Sequence, residues 1–272
     1  MGLKKGLQLH PVDIVDRIAP ADFLVNYVRA NRPLVMRGLS HDWPALEKWS
    51  LDYMVQVMGE HPVPLFRTGA INPRAKVNAP ACEMPFAEYI GLIEQGPTDL
   101  RIFLLNAFRA FPELLKDFHT PDLMDGFLNR FPMLFFGSKG SRVFLHFDID
   151  MSEVFHTQFD GRKRAILFGP DQSRALYKIP FSVRSFMDLD VEAPDYGKFP
   201  ALQHAQGLEA QLEHGDTLYI PSGWWHHMHY LENGFALSQR AMARDFSTRL
   251  LALHNMLVVK PTETIVRKMI GK

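Results

Sequence analysis

The run Ser141–Phe168 reads S-R-V-F-L-H-F-D-I-D-M-S-E-V-F-H-T-Q-F-D-G-R-K-R-A-I-L-F. His146 and Asp148 stand two apart in an extended, β-prone stretch, so alternation along a strand points both side chains the same way. An imidazole and a carboxylate on one face supply two of the three donors of a 2-His-1-carboxylate set, the arrangement that suits ferrous iron with open coordination positions. The third donor comes from Tyr219–His229, Y-I-P-S-G-W-W-H-H-M-H. There a strand ends at Ile220, Pro221 forbids simple continuation, and Gly223 permits a bend before two tryptophans and His226. His226 completes the set. His227 points away if the segment is extended, and His229 is the weaker candidate because it lies past the bend. Taken alone, His-x-Asp in a chain with 12 histidines describes an ordinary surface or core histidine; the second locus changes that reading.

Around this stretch the texture is all-β. Runs at 133–137, 142–148, 153–159 and 162–168 are separated by Gly, Ser and Asp clusters, and Asp160-Gly161 between two of them predicts a hairpin. After an irregular, Pro-punctuated stretch at 170–200, strands resume at 209–213, 217–220 and 235–240, with a turn at Gly215-Asp216. The N-terminal part is mixed. Residues 12–31 carry Ile14, Ile18, Phe23, Leu24, Tyr27 and Val28 at helical spacing, with Pro20 placed to open a second helix. Leu34–Met36, Val63–Phe66 and Ile102–Leu105 predict strands. Helices are expected at Ser50–Gly59, with Ser50 as its N-cap, at Pro85–Gln95 and at Pro112–Phe118. From Met242 the period is helical again, with Phe246, Leu250, Leu253 and Leu257 on one face, read as a core stripe. Pro261 is expected to break that helix before a short terminal one at 262–269. The pattern predicts a mainly β fold with a helical frame (α+β), a double-stranded β-helix or jelly-roll barrel.

Bulk composition narrows the function. The chain has 272 residues, 47% apolar and 12% aromatic, ample for a packed core. Lys plus Arg and Asp plus Glu number 30 each, which argues against a broad basic surface and so against a nucleic-acid substrate. One cysteine, Cys82, excludes an internal disulfide framework and a Cys-rich zinc module. No signal peptide and no membrane-length apolar run is visible, which predicts a soluble cytoplasmic protein.

His146-Phe-Asp148-Ile, Gly161-Arg-Lys163-Arg with Leu167-Phe168, Gly215-Asp216 and Ile220-Pro221-Ser-Gly-Trp-Trp-His226 together resemble the JmjC/cupin-like family of Fe(II)/2-oxoglutarate dioxygenases, in particular its small hydroxylases. Asn31-Arg-Pro33-Leu-Val-Met-Arg-Gly38, Asp42-Trp43-Pro44 and Trp49-Ser50 are similar to the family's N-terminal segment, so the resemblance runs from about residue 10 to 240. It implies a catalytic domain over 1–241 and a C-terminal helical extension over 242–272 that pairs two copies into a homodimer. It implies Fe(II) held by His146, Asp148 and His226, 2-oxoglutarate and O2 as co-substrates, and Lys163 on the far carboxylate of the oxo-acid. Residues Lys163, Ala165 and Leu167 share a face, and the hairpin at Asp160-Gly161 is expected to lay their strand beside that of His146.

The chain also departs from the family. The Thr three residues before the first ligand is Val143, the aromatic hydroxyl near 103 is Phe103, and the expected Asn is Val154 or Ser152. His156, Ser238 and Arg240 stand where they could replace those polar partners. The implied activity is hydroxylation, or demethylation when an N-methyl group is attacked, with release of succinate and CO2. Its substrate is a protein side chain, a small molecule or a modified nucleoside. A metal- or ligand-binding sensor module without turnover is the reading from another class.

Overall fold

The structure, a computed structural model, describes residues 7–67, 79–186, 188–263 and 265. Strands β1 (Gln8–Pro11) and β2 (Asp13–Val15) precede helix α1 (Pro20–Phe23), which runs on as π-helical turns through Leu24–Arg29. Next come β3 (Leu34–Met36), α2 (Ala45–Lys48), α3 (Leu51–Met58), β4 (Pro62–Arg67), β5 (Cys82–Pro85), α4 (Phe86–Gln95) and β6 (Leu100–Leu105). The β-rich half holds β7 (Met133–Gly137), β8 (Arg142–His146), β9 (Glu153–Phe159), β10 (Lys163–Phe168), β11 (Gln206–Leu212), β12 (Thr217–Ile220), β13 (Trp225–Tyr230) and β14 (Gly234–Ala241). Helix α5 (Phe246–His254) closes the order. Among the described residues no helix is long and apolar enough to cross a membrane.

Two sheets face each other, with strand orders β1-β11-β10-β13-β8 and β2-β3-β12-β9-β14-β7-β6-β4-β5. This is the predicted jelly-roll barrel with a helical frame. Helices α2–α4 cover the outer face of the longer sheet, where Trp49, Phe86, Phe136, Phe159 and Phe235 form the largest core cluster. Ser50 caps α3 as expected, its Oγ accepting the Tyr53 N–H at 3.1 Å. Between the sheets, Val154, Ala165, Leu167, Ala210, Leu218 and Met228 fill the flank near β11 and β12. Their inward neighbours on β9, β10 and β13 are His156, Lys163 and His226, so the other flank of the interior is polar.

Five local expectations are corrected. Residues 12–18 are not helical: β2 pairs in parallel with β3, and Val12 is buried between the sheets while Ile14 is exposed. Sheet hydrogen bonds there outweigh a helical spacing that had one strong apolar face only from Phe23 onward. Asp160-Gly161 is a tight reversal, both residues at positive φ (47° and 64°), but it joins different sheets. Strand β9 lies between β12 and β14, and β10 between β11 and β13. A turn dictates only the local reversal; β9 is buried along its whole length, and covering both its faces decides its neighbours. The strand of Lys163 is therefore not beside that of His146, since β13 separates them. The Trp225–Tyr230 strand itself was not anticipated. At the C-terminus the helical conformation carries on past Pro261, after π-helical turns at Asn255–Val259. Phe246, Leu250, Leu253 and Leu257 are 50–73% exposed and form no core stripe; Asn255 and Val259 face the body instead. The terminal helix expected over 262–269 lies mostly outside the described residues.

The reversal that starts the Lys163 strand is packed backbone on backbone. A Cβ on Gly161 would fall 2.1 Å from the Asn233 carbonyl oxygen, and its φ of +64° is already costly for other residues. Gly161→Ala is expected to destabilise the fold by more than about 2 kcal/mol, seen as a lowered urea midpoint at unchanged slope. A midpoint equal to wild type would show that the two turns do not meet this way.

Candidate active site

The register of one strand pair builds the centre. On β8 and β13, His146 is the direct cross-strand partner of His226, which turns both rings inward with centroids 4.2 Å apart. Between His226 and Met228 the register slips by one residue, and Val143 becomes the partner of Met228. This bulge lets Val143 and His146, three apart, face the same way. Asp148 follows just beyond the end of β8, its Oδ1 3.9 Å from His146 Nε2. One ligating atom from each of His146, Asp148 and His226 lies within 4.8 Å of the others.

Each donor is oriented by a further contact. His146 Nδ1 bonds the Phe144 carbonyl at 2.9 Å and His226 Nδ1 the Trp224 carbonyl at 3.1 Å. A carbonyl only accepts, so both rings carry their proton on Nδ1 and offer a bare Nε2. Burial, then the neighbouring His226, depresses His146 to about 3, and burial lowers His226 as well, so both are neutral at pH 7. Burial works to raise the Asp148 carboxyl, but Arg240, followed by His226 and His146, outweighs it and keeps the carboxyl below its ordinary value. Arg240 Nη2 lies 3.2 Å from Asp148 Oδ2 and its Nη1 2.9 Å from Asp150 Oδ2. One carboxylate oxygen is thus held, and Oδ1 is left toward the histidines. Arg240 is committed to these carboxylates, which answers the idea that it replaces a co-substrate partner.

Three other candidates join in a chain across the polar flank. Lys163 Nζ is 2.9 Å from His156 Nε2, and His156 Nδ1 is 2.7 Å from Ser238 Oγ. An ammonium or amine donates, so His156 accepts at Nε2 and donates from Nδ1 to the serine. Burial, then Lys163, drives His156 well below its ordinary pKa, and burial alone brings Lys163 down to about 7. The Lys163 Nζ also rests 4.2 Å from the centroid of the Tyr230 ring. Tyr230 was not foreseen, because its strand was not; neither was Arg101, an inward cation on β6 that is 6% exposed. Phe103, where a hydroxyl was expected, packs edge-on against Phe66 at 4.2 Å. Val154 is buried in the apolar flank, away from hydrogen-bonding work.

A family model described as a cupin-like domain matches residues 20–243, which covers both loci of the centre. The chain belongs to the JmjC-type cupin-like family. Its relatives include lysine-specific demethylase 8 of Xenopus tropicalis, 30% identical over 79% of this chain and 49% of that protein. Arginine-specific demethylase JMJ22 of Arabidopsis thaliana is 26% identical over 89% of this chain and 48% of that protein. The tRNA wybutosine-synthesizing protein 5 of Gallus gallus is 25% identical over 84% and 76% respectively. The chain spans about half the length of these two demethylases.

On the outer face of this cupin-like barrel, His227 and His229 point away from the centre. His229 Nδ1 is 2.9 Å from Glu192 Oε1 and His227 Nε2 is 3.7 Å from Oε2, while Arg142 and Arg164 approach the same carboxylate at 3.0 and 3.3 Å. Glu192 ties the 170–205 segment to the sheet that carries His226. Burial opposes its charge, but His227 and His229 more than offset that and take the carboxyl down from 4.5 to about 2. A depressed carboxyl stabilises the fold fully above its unfolded value and loses that contribution as pH falls toward the folded one. The urea midpoint is therefore expected to fall between pH 4.5 and about 2, and Glu192→Gln to flatten this part of the profile while lowering the midpoint at pH 7. An unchanged acid limb in the variant would remove Glu192 as the clamp.

Proposed function

We propose that the chain is an Fe(II)- and 2-oxoglutarate-dependent oxygenase that hydroxylates a protein side chain. One observation carries the reading: a ring nitrogen from each of two neutral imidazoles and one carboxylate oxygen converge within 4.8 Å, and each side chain is oriented from behind. This donor set, borderline nitrogen plus hard oxygen with no thiolate, suits ferrous iron and leaves positions free for an oxo-acid and O2. The inward cations beside it suit a dicarboxylate. When bound, iron with these co-substrates supplies oxidative decarboxylation to succinate and CO2, and with it the power to hydroxylate a C–H bond.

The protein's own part is binding and aim. His146, His226 and Asp148 hold the metal, and Arg240 fixes Asp148. Lys163 donates to the far carboxylate of the oxo-acid, while His156 and Ser238 hold the lysine in place through their hydrogen-bonded chain. Met228, Ala165 and Leu167 keep water from the interior behind them. Relatives named as lysine- and arginine-specific demethylases support a protein acceptor, and the balanced charge of the chain disfavours a tRNA.

The test is succinate release from 2-oxoglutarate by the Fe(II)-loaded chain, with peptides, nucleosides and metabolites screened as stimulants. His146→Ala and Asp148→Ala are each expected to abolish release, a loss of at least about 100-fold, and chelation of the metal to do the same reversibly. Wild type that releases no more succinate than His146→Ala sinks the enzyme reading and leaves a binding module.

The same proposal makes the chain a homodimer through α5. Phe246, Leu250, Leu253, Met256 and Leu257 are 41–73% exposed along one helix, an apolar load that a second copy related by a two-fold axis would cover. Light scattering is expected to give the dimer mass for wild type and the monomer mass for Leu253→Asp/Leu257→Asp. A monomeric wild type at micromolar concentration ends the dimer proposal.

A further inference from the structure

The cations facing the interior differ in what neutralises them. Arg240 has Asp148 and Asp150, and Arg184 has Glu263 at 3.4 Å. Lys163 is hydrogen bonded to a neutral histidine. Arg101 meets no carboxylate among the described residues: the titratable groups acting on it are Tyr230 and Tyr89, whose phenols burial keeps neutral, and Arg184, a like charge, and its Nε is buried without a hydrogen-bond partner. Its guanidinium lies 5.1 Å from the Phe103 ring centroid, a contact that stabilises a cation without cancelling its charge.

Topology aims Arg101 at the same place as Lys163. Ile102 belongs to the core under the helices, so Arg101, its neighbour on β6, takes the inward face. Its cross-strand partner is Gly137, and the Tyr230 ring lies on that glycine so closely that a Cβ there would be 2.7 Å from it. Tyr230 is in turn the cross-strand partner of Lys163 and carries its Nζ over the ring. Arg101 and Lys163 thus approach one aromatic side chain from opposite sheets. Arginine keeps its proton in proteins, so a desolvated guanidinium without a counter-charge is a cost to the fold that an incoming anion relieves.

We propose that Arg101 is the specificity residue for the co-substrate: its guanidinium receives the far carboxylate of a dicarboxylic 2-oxo-acid, with Lys163 as second donor, and so selects it over monocarboxylic oxo-acids. The inference rests on the oxygenase reading and adds to it a residue that the family resemblance did not assign. Fork geometry accounts for the choice of side chain, since a guanidinium can pair with both carboxylate oxygens where an ammonium acts as a point charge.

Calorimetric titration of the Fe(II)-loaded full chain without oxygen tests it, using 2-oxoglutarate and 2-oxovalerate, which has the same carbon chain without the far carboxylate. Wild type is expected to prefer 2-oxoglutarate. Arg101→Gln should weaken 2-oxoglutarate binding roughly ten- to hundred-fold, leave 2-oxovalerate binding nearly unchanged, and melt no lower than wild type without ligand, because an uncompensated charge is removed. Arg101→Lys should recover part of the preference and serves as the reporter if the glutamine variant does not fold. Wild type that binds 2-oxoglutarate while Arg101→Gln keeps the same affinity and preference overturns this inference alone. Wild type that binds no 2-oxoglutarate overturns the oxygenase reading together with it.

Discussion

Everything at the centre depends on one strand register, His146 opposite His226 on β8 and β13. Antiparallel pairing turns directly opposed side chains to the same face. A slip of one residue would send either ring to the outer surface, where His227 and His229 now meet Glu192. The outer cluster and the inner pair are therefore two readings of the same alternation. By holding His227 and His229 outward, Glu192 also holds His226 inward.

The interior is divided because the barrel does two jobs. Where β9, β10 and β13 back onto β11 and β12, aliphatic side chains close it. Where they face β14, β7 and β6, it carries His156, Ser238, Lys163 and Arg101. Buried polar groups are costly unless they are paired, and here most are paired: His156 with Lys163 and Ser238, Arg240 with two carboxylates. Arg101 differs from them in meeting no carboxylate among the described residues, and unpaired charges of this kind sit where a ligand supplies the missing partner.

Much of the site was legible in linear sequence because its chemistry is local. His146 and Asp148 are two apart, and period-2 alternation alone puts them on one side. Lys163, Ala165 and Leu167 follow the same rule, and Pro221–Gly223 signals the bend before His226. The helix over Leu51–Met58 could be read from its cap and the strands of the β-rich half from their turn residues. The mistakes share a cause. Asp160-Gly161 signalled a reversal correctly, yet which strand lies beside which is decided by burial of both faces of β9, a non-local term. Residues 12–18 have apolar spacing compatible with a helix, and only the open edge of β3 makes them a strand. The Trp225–Tyr230 strand is rich in histidine and aromatic residues that no alternation pattern could rank.

The sequence by itself determined which residue types could bind a metal and an acid, and the jelly-roll class, because turn chemistry and side-chain alternation act within a few residues. Tertiary structure decided that His226 stands directly opposite His146 and that His227 and His229 are held outward by Glu192. It also committed Arg240 to Asp148 and brought Arg101 to Lys163 around Tyr230. The contacts of Arg240, Arg101 and Lys163 join elements of opposite sheets, and only the packing of the two sheets against each other sets them.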